Sequence, residues 1–297
     1  MKFKSLLLTA SLMLSMLVSA TTAMASGYMP FILGSTSSDS LAVAVDKTKK
    51  SLTANGFEVV GHYQPNGDSE VLVVTNTALK TLAGLSTNGG FGAMERVSVV
   101  KRGDKVEVAY TNPTYMWNVY RMKGDIQPVQ AAMEKALGKE KAFGADKPLT
   151  AGELREYHYK FMMPYFDDVD EIQSFDSYQE GVNTIEAGLK AGRGGATQVY
   201  RIDIPGKQMT VFGVALSQTE GSDKNILAQI DGAGHSHAAH LPYEVLVNGD
   251  KALALNGKFR IAINWPSLSM MGSGSFMSIA NAPDGIMQSL EIVAGAD

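Results

Sequence analysis

The sequence contains no cysteine. This excludes disulfides, thiolate metal sites, a cysteine nucleophile and a lipid anchor on an N-terminal cysteine. It has one long apolar run and a mean hydropathy of −0.03, which excludes a protein crossing the membrane many times. Basic residues are in deficit, with 26 Lys and Arg against 30 Asp and Glu and a net charge of −4. A nucleic-acid partner, which needs a basic face, is therefore not expected. What is present is globular in character: 45% of the 297 residues are hydrophobic, and the length suits two ordinary domains.

The one apolar run gives an address. Lys2 and Lys4 precede an apolar stretch from Leu6 to Val18, followed by small residues ending in Ala23-Met24-Ala25. A basic start, a short apolar stretch and a small-residue cleavage site form a secretory signal peptide over residues 1–25, cut before Ser26. As a helix the stretch rises only about 20 Å, short of the roughly 30 Å hydrocarbon core, so it is too short to stay behind as an anchor. The expectation is a bacterial periplasmic or secreted protein with no stable membrane anchor after cleavage.

The second half of the chain repeats the pattern of the first. Leu41, Val45, Thr48 and Leu52 step +4, +3, +4, and so do Tyr178, Val182, Ile185 and Leu189. Each series is one face of an amphipathic helix. Asp39-Ser40 and Asp176-Ser177 precede them as capping residues. Two strand-like runs follow in each half, at 57–63 and 70–76 and at 197–203 and 209–216, and then a short helix, at 77–85 and at 223–231. Hairpins around Gly103-Asp104-Lys105 and Gly249-Asp250-Lys251 come next. VEVAYTNP, ending at Pro113, aligns residue for residue with FRIAINWP, ending at Pro266. Helices near Ile126–Leu137 and Ile286–Val293 close the two halves. Hairpins outnumber strand-helix-strand units. The expected fold class is therefore α+β, with two related domains, each a mostly antiparallel sheet with helices packed on one face. The domains span 26–140 and 176–297. Between them, 141–175 is a linker that turns aromatic and methionine-rich, with a short capped helix from Thr150 to Tyr159.

Gly56-Phe57 after a helix, Thr75-Asn76 after a strand, the loop at Gly89-Gly90 and the hairpin ending in Asn112-Pro113 resemble domain-of-unknown-function family 302. The resemblance covers about residues 38–140 and, more weakly, 176–296, so the chain looks like a tandem, exported member. It implies a compact α+β domain that often self-associates, and hence a possible homo-oligomer, with no assigned reaction. This chain departs from the common pattern in having no cysteine.

Three clusters bear on chemistry. His235, His237 and His240 stand within six residues of a glycine-rich segment. Neutral imidazoles ligate zinc or copper, Glu244 or a methionine could complete the set, and the alternative is a surface loop. The 16 methionines include Met162-Met163, Met270-Met271 and Met277; thioethers suit copper(I), but methionine also fills irregular cores. Tyr115, Trp117 and Tyr120, with Met162, Met163 and Trp265, could line a ligand groove between the domains or pack as core. At strand spacing Tyr115 and Trp117 share one face. The acidic run Asp167, Asp168, Asp170 and Glu171 lacks the ligand spacing of a calcium loop. There is no nucleophile elbow, phosphate loop or nucleotide fingerprint. The function expected is an exported, non-enzymatic module binding a small ligand or a protein. The alternatives are a zinc or copper protein using the histidine loop, and an enzyme with its site between the domains.

Overall fold

The computed structural model describes residues 27–160 and 163–296. The expected signal peptide and Met162 lie outside the described residues.

The first half runs β1 (Phe31–Ser37), α1 (Leu41–Ala54), β2 (Glu58–Asn66), β3 (Ser69–Thr75), α2 (Thr77–Ala83), β4 (Glu95–Arg102), β5 (Lys105–Thr111), α3 (Pro113–Val119) and α4 (Gln127–Leu137). A connecting stretch holds β6 (Lys141–Phe143) and α5 (Ala151–Arg155). The second half runs β7 (Asp170–Ser174), α6 (Tyr178–Lys190), β8 (Ala196–Asp203), β9 (Met209–Leu216), α7 (Asp223–Ile230), β10 (Tyr243–Asn248), β11 (Lys251–Ala254), α8 (Gly257–Ala262) and α9 (Ala282–Ala294).

The capping residues act as their chemistry dictates. Ser40 Oγ accepts from Val43 N at the start of α1, and Ser177 Oγ accepts from Glu180 N at the start of α6. Ala44, Val45, Thr48 and Leu52 form the buried face of α1; Val182, Ile185 and Leu189 lie on that of α6. Thr150 and Glu153 close a reciprocal capping box on α5.

Two antiparallel sheets result, in the order β2-β3-β4-β5-β1-β6 and β8-β9-β10-β11-β7. The first strand of each half lies beyond the last strand of its hairpin: β1 pairs with β5, and β7 with β11. The linker range thus contributes a strand to each sheet, β6 to the first and β7 to the second. The fold is α+β.

Each sheet covers one face with its own helices. In the second half Phe212, Val214, Val245 and Val247 pack with Val182 and Ile185 of α6 and with Leu290 and Val293 of α9. The opposite faces meet across the centre of the molecule. Val71 and Val100 of the first sheet join the core cluster of the second half, and Tyr200, Ile202, Val211 and Leu246 of the second sheet join that of the first. Two 3-10 turns complete this contact. Gly89–Gly92, between α2 and β4, packs on β9 and β10; Ala238–His240, between α7 and β10, packs on β4 and β5. Gly90 permits the first approach, because a Cβ there would stand 2.3 Å from Leu246 Cδ1.

Two stretches read as strands are helices. Tyr115 and Trp117 lie on α3, which begins at Asn112-Pro113 as proline at a first helical position allows. Phe259–Ala262, in the stretch aligned with the strand VEVAYTN, lies on α8, where Asn256 caps the start by accepting from Lys258 N at 3.1 Å. Phe259, Arg260, Ile261 and Ala262 are all buried. A segment buried on every side has no polar face to reveal its period, so strand and helix look alike in sequence. The structural counterpart of Asn112-Pro113 is Asn256-Gly257, since each pair joins the last strand of a hairpin to a short helix.

Candidate functional site

The surface between the two sheets is polar at its centre. Glu244 on β10 is buried and held by two arginines. Arg260 on α8 donates through Nε to Glu244 Oε2 at 3.1 Å and through Nη2 to Oε1 at 3.2 Å. Arg96 on β4 donates to the same Oε1 from the other half. Arg260 also donates to the carbonyls of His240 and of Pro242. Two cations share one carboxylate, and the next carboxyl does not restore the balance. Burial pushes Glu95 up to about 8, so at neutral pH it is mostly a neutral acid, hydrogen-bonded to Thr111 Oγ1 at 2.6 Å.

A groove of about 550 Å³ opens at the edge of this contact, between β2 on one side and β9 and α7 on the other. Its size is that of a small-ligand site. Pro65, Ala215 and Ala228 supply apolar wall, and Thr197, Ser217 and Asn225 supply polar groups. Asp223, the first residue of α7, lines it while only 2% exposed. Tyr63 from β2 donates its hydroxyl to Asp223 Oδ2 at 2.8 Å, and Leu216 N donates to the same oxygen at 3.1 Å. Asp223 Oδ1 is buried and has no partner among the described residues. A helix N-terminus favours a carboxylate, as do these two donors. Burial outweighs them and pushes the Asp223 carboxyl up to about 7.

The three histidines belong to the docking turn and take separate partners. His235 Nδ1 meets Glu107 Oε1 of β5 at 3.0 Å. His237 donates from Nδ1 to the Asn264 carbonyl at 2.9 Å, and its ring stacks on Trp265 with centroids 4.9 Å apart. His240 donates from Nδ1 to the His237 carbonyl at 3.1 Å and meets Trp265 edge-on at 4.6 Å. Burial lowers His237 to about 4 and His240 well below the usual imidazole range, so both are neutral at pH 7. Asp231 secures the turn by accepting from His237 N and Ser236 Oγ, each at 2.6 Å. Among the described residues no three His, Asp or Glu side chains stand together so as to hold one metal ion. Glu244, the extra ligand considered for the histidines, is engaged by the arginines.

The aromatic residues picked out for a groove are packed inside. Tyr115 donates its hydroxyl to the Ile263 carbonyl at 2.9 Å, tying α3 to the end of α8. Trp117 donates from Nε1 to the Gly124 carbonyl at 3.2 Å. Tyr120 lies against Phe166 with centroids 5.3 Å apart. Met163 is half-buried in the connecting stretch. Trp265 borders an opening, a pocket of about 340 Å³ that His237 also lines. The acidic run is dispersed: Asp167 pairs with Arg121 at 2.7 Å, Glu171 with Lys251 at 2.5 Å, and Asp170 accepts from Asn256 at 3.0 Å.

Asp223 and Tyr63 went unnoticed in the sequence. They are 160 positions apart, and Asp223 resembles an ordinary helix-start acid. The pairing depends on the two sheets packing face to face. Comparison with family models, curated proteins and solved structures finds no match to this chain.

Proposed function

We propose that the chain is an exported, non-enzymatic binding module of two related α+β domains, similar to family 302, whose ligand sits in the groove between β2, β9 and α7. The supporting observation is Asp223: a buried carboxyl on the groove wall, with one oxygen satisfied from both halves and the other unpartnered. A buried acceptor without a donor costs about 1–3 kcal/mol, which a ligand donor would recover. The ligand is a small molecule with an apolar body and an amine or similar donor. An amine binds most tightly when Asp223 is ionised, so binding strengthens as pH rises through about 7. The two halves replace, within one chain, the self-association that the resemblance implies.

The test is thermal stabilisation by benzylamine and cyclohexylamine, with benzoate as the charge-reversed comparator, at pH 6 and pH 8. The amines raise Tm more at pH 8, benzoate does not, and Asp223→Asn removes the difference. Equal behaviour of wild type and Asp223→Asn sinks the proposal. Turnover of a groove ligand that depends on Asp223 would replace binding by catalysis.

A further inference from the structure

A second opening lies on the first sheet's side, away from the groove. It is a pocket of about 410 Å³ between the segment Gly27–Met29, the start of α3 and α4. Amides and a hydroxyl line it, together with apolar Met29 and Ile32 and the charged Glu134 and Lys139. Gln130 is 8% exposed; its Oε1 accepts from Thr114 N at 3.1 Å and from Thr114 Oγ1 at 3.0 Å. Gln127 Nε2 donates to the same hydroxyl oxygen at 3.1 Å. Asn112, 5% exposed, donates from Nδ2 to the Met29 carbonyl at 2.9 Å. That bond fixes the amide orientation and leaves Asn112 Oδ1 buried with no partner among the described residues.

The second half shows what this corner looks like when closed. Asn256 takes the place of Asn112, yet both its amide atoms are used: Nδ2 donates to Asp170 and Oδ1 caps α8. Gly257 follows it, and Pro283 of α9 comes so close that a Cβ on Gly257 would stand 2.9 Å from Pro283 Cα. In the first half Pro113 stands in place of Gly257, and α4 is held to α3 through the Gln130 side chain. A long amide arm spans a gap that backbone contact closes in the other half.

We propose that the pocket on the first sheet's side binds a small, neutral, polyhydroxylated molecule of monosaccharide size. The charge at its rim is balanced, because Lys139 pairs with Glu134 at 2.7 Å, so neither an anion nor a cation is selected. The unpartnered Asn112 oxygen needs a donor, which a carboxylate lacks. Hydroxyl groups donate and accept at one atom, and so suit a wall of amides that does both. Ala131, exposed on α4, lines the pocket without supporting the core.

The test is saturation-transfer NMR on the full chain with D-glucose, D-galactose, D-mannose and myo-inositol, and with glycine and acetate as charged comparators. At least one polyol receives transfer. Asn112→Ala weakens its binding tenfold or more, and Ala131→Trp abolishes it with Tm unchanged. Ala131→Trp keeps the test decisive if Asn112→Ala folds poorly. The proposal is overturned if none of the four polyols receives transfer, if transfer survives Ala131→Trp, or if glycine or acetate binds in their place.

Discussion

Each half lays one short turn on the other's sheet, and the two turns do this by different means. Gly89–Gly92 works by absence of side chain: Gly90 lets the backbone come down on Leu246, and Phe91 fills the space beside it. The turn at Ala238–His240 works by rings and hydrogen bonds. His237 stacks on Trp265 and lies 5.0 Å from Phe31, while Asp231 ties the backbone. Apolar close packing responds little to pH. A contact made through buried imidazoles must respond to it, because protonation would place charge where water is excluded. The same architectural place therefore carries a pH dependence on one side only.

The strongest way to break this comparison is at the shared centre. Glu244→Gln leaves Arg96 and Arg260 without their counter-charge, and unfolding measured in denaturant should show a loss of about 3–5 kcal/mol. The next effect sharpens the contrast between the turns. His237 has its proton affinity lowered to about 4 in the folded chain, so the unfolded chain binds the proton first as pH falls from 6.5. Its contribution is complete above pH 6.5 and lost toward pH 4, amounting to about 3 kcal/mol. His237→Phe should flatten the acid limb of a Tm-against-pH curve. Asp223 acts in the opposite sense. Its raised pKa favours the folded state fully below about pH 4, and this advantage fades as pH rises toward 7. Asp223→Asn should flatten that rise-linked loss. Gly90→Ala tests the apolar turn: about 2 kcal/mol should be lost equally at pH 5 and pH 7. The smallest effect separates the two asparagines. Asn256→Ala should cost about 1 kcal/mol through its lost cap, and Asn112→Ala, which caps nothing, should cost less.

The architecture was legible where periodicity met capping chemistry. The +4, +3, +4 faces of α1 and α6, with Ser40 and Ser177 before them, are local signals that tertiary packing reinforces. Legibility failed where burial erased the period, as at Tyr115–Trp117 and Phe259–Ala262. The histidines stood out by composition, yet their partners Glu107, Asn264 and Asp231 are set by the docking of the turn. Asp223 carried no sequence signal and Asn112 stood out only as the end of a hairpin, because an unpartnered oxygen is a property of three-dimensional surroundings.

The asymmetry at the centre has one more consequence. Two separate copies meeting face to face through a two-fold axis must present self-complementary surfaces, each substitution appearing twice. Counted back from the Gly-Asp-Lys turns, Glu244 stands where the first half has Ser98, and Arg96 where the second has Pro242. One face supplies the anion and the other a cation. Covalent continuity releases the two faces from that double constraint, so each can specialise.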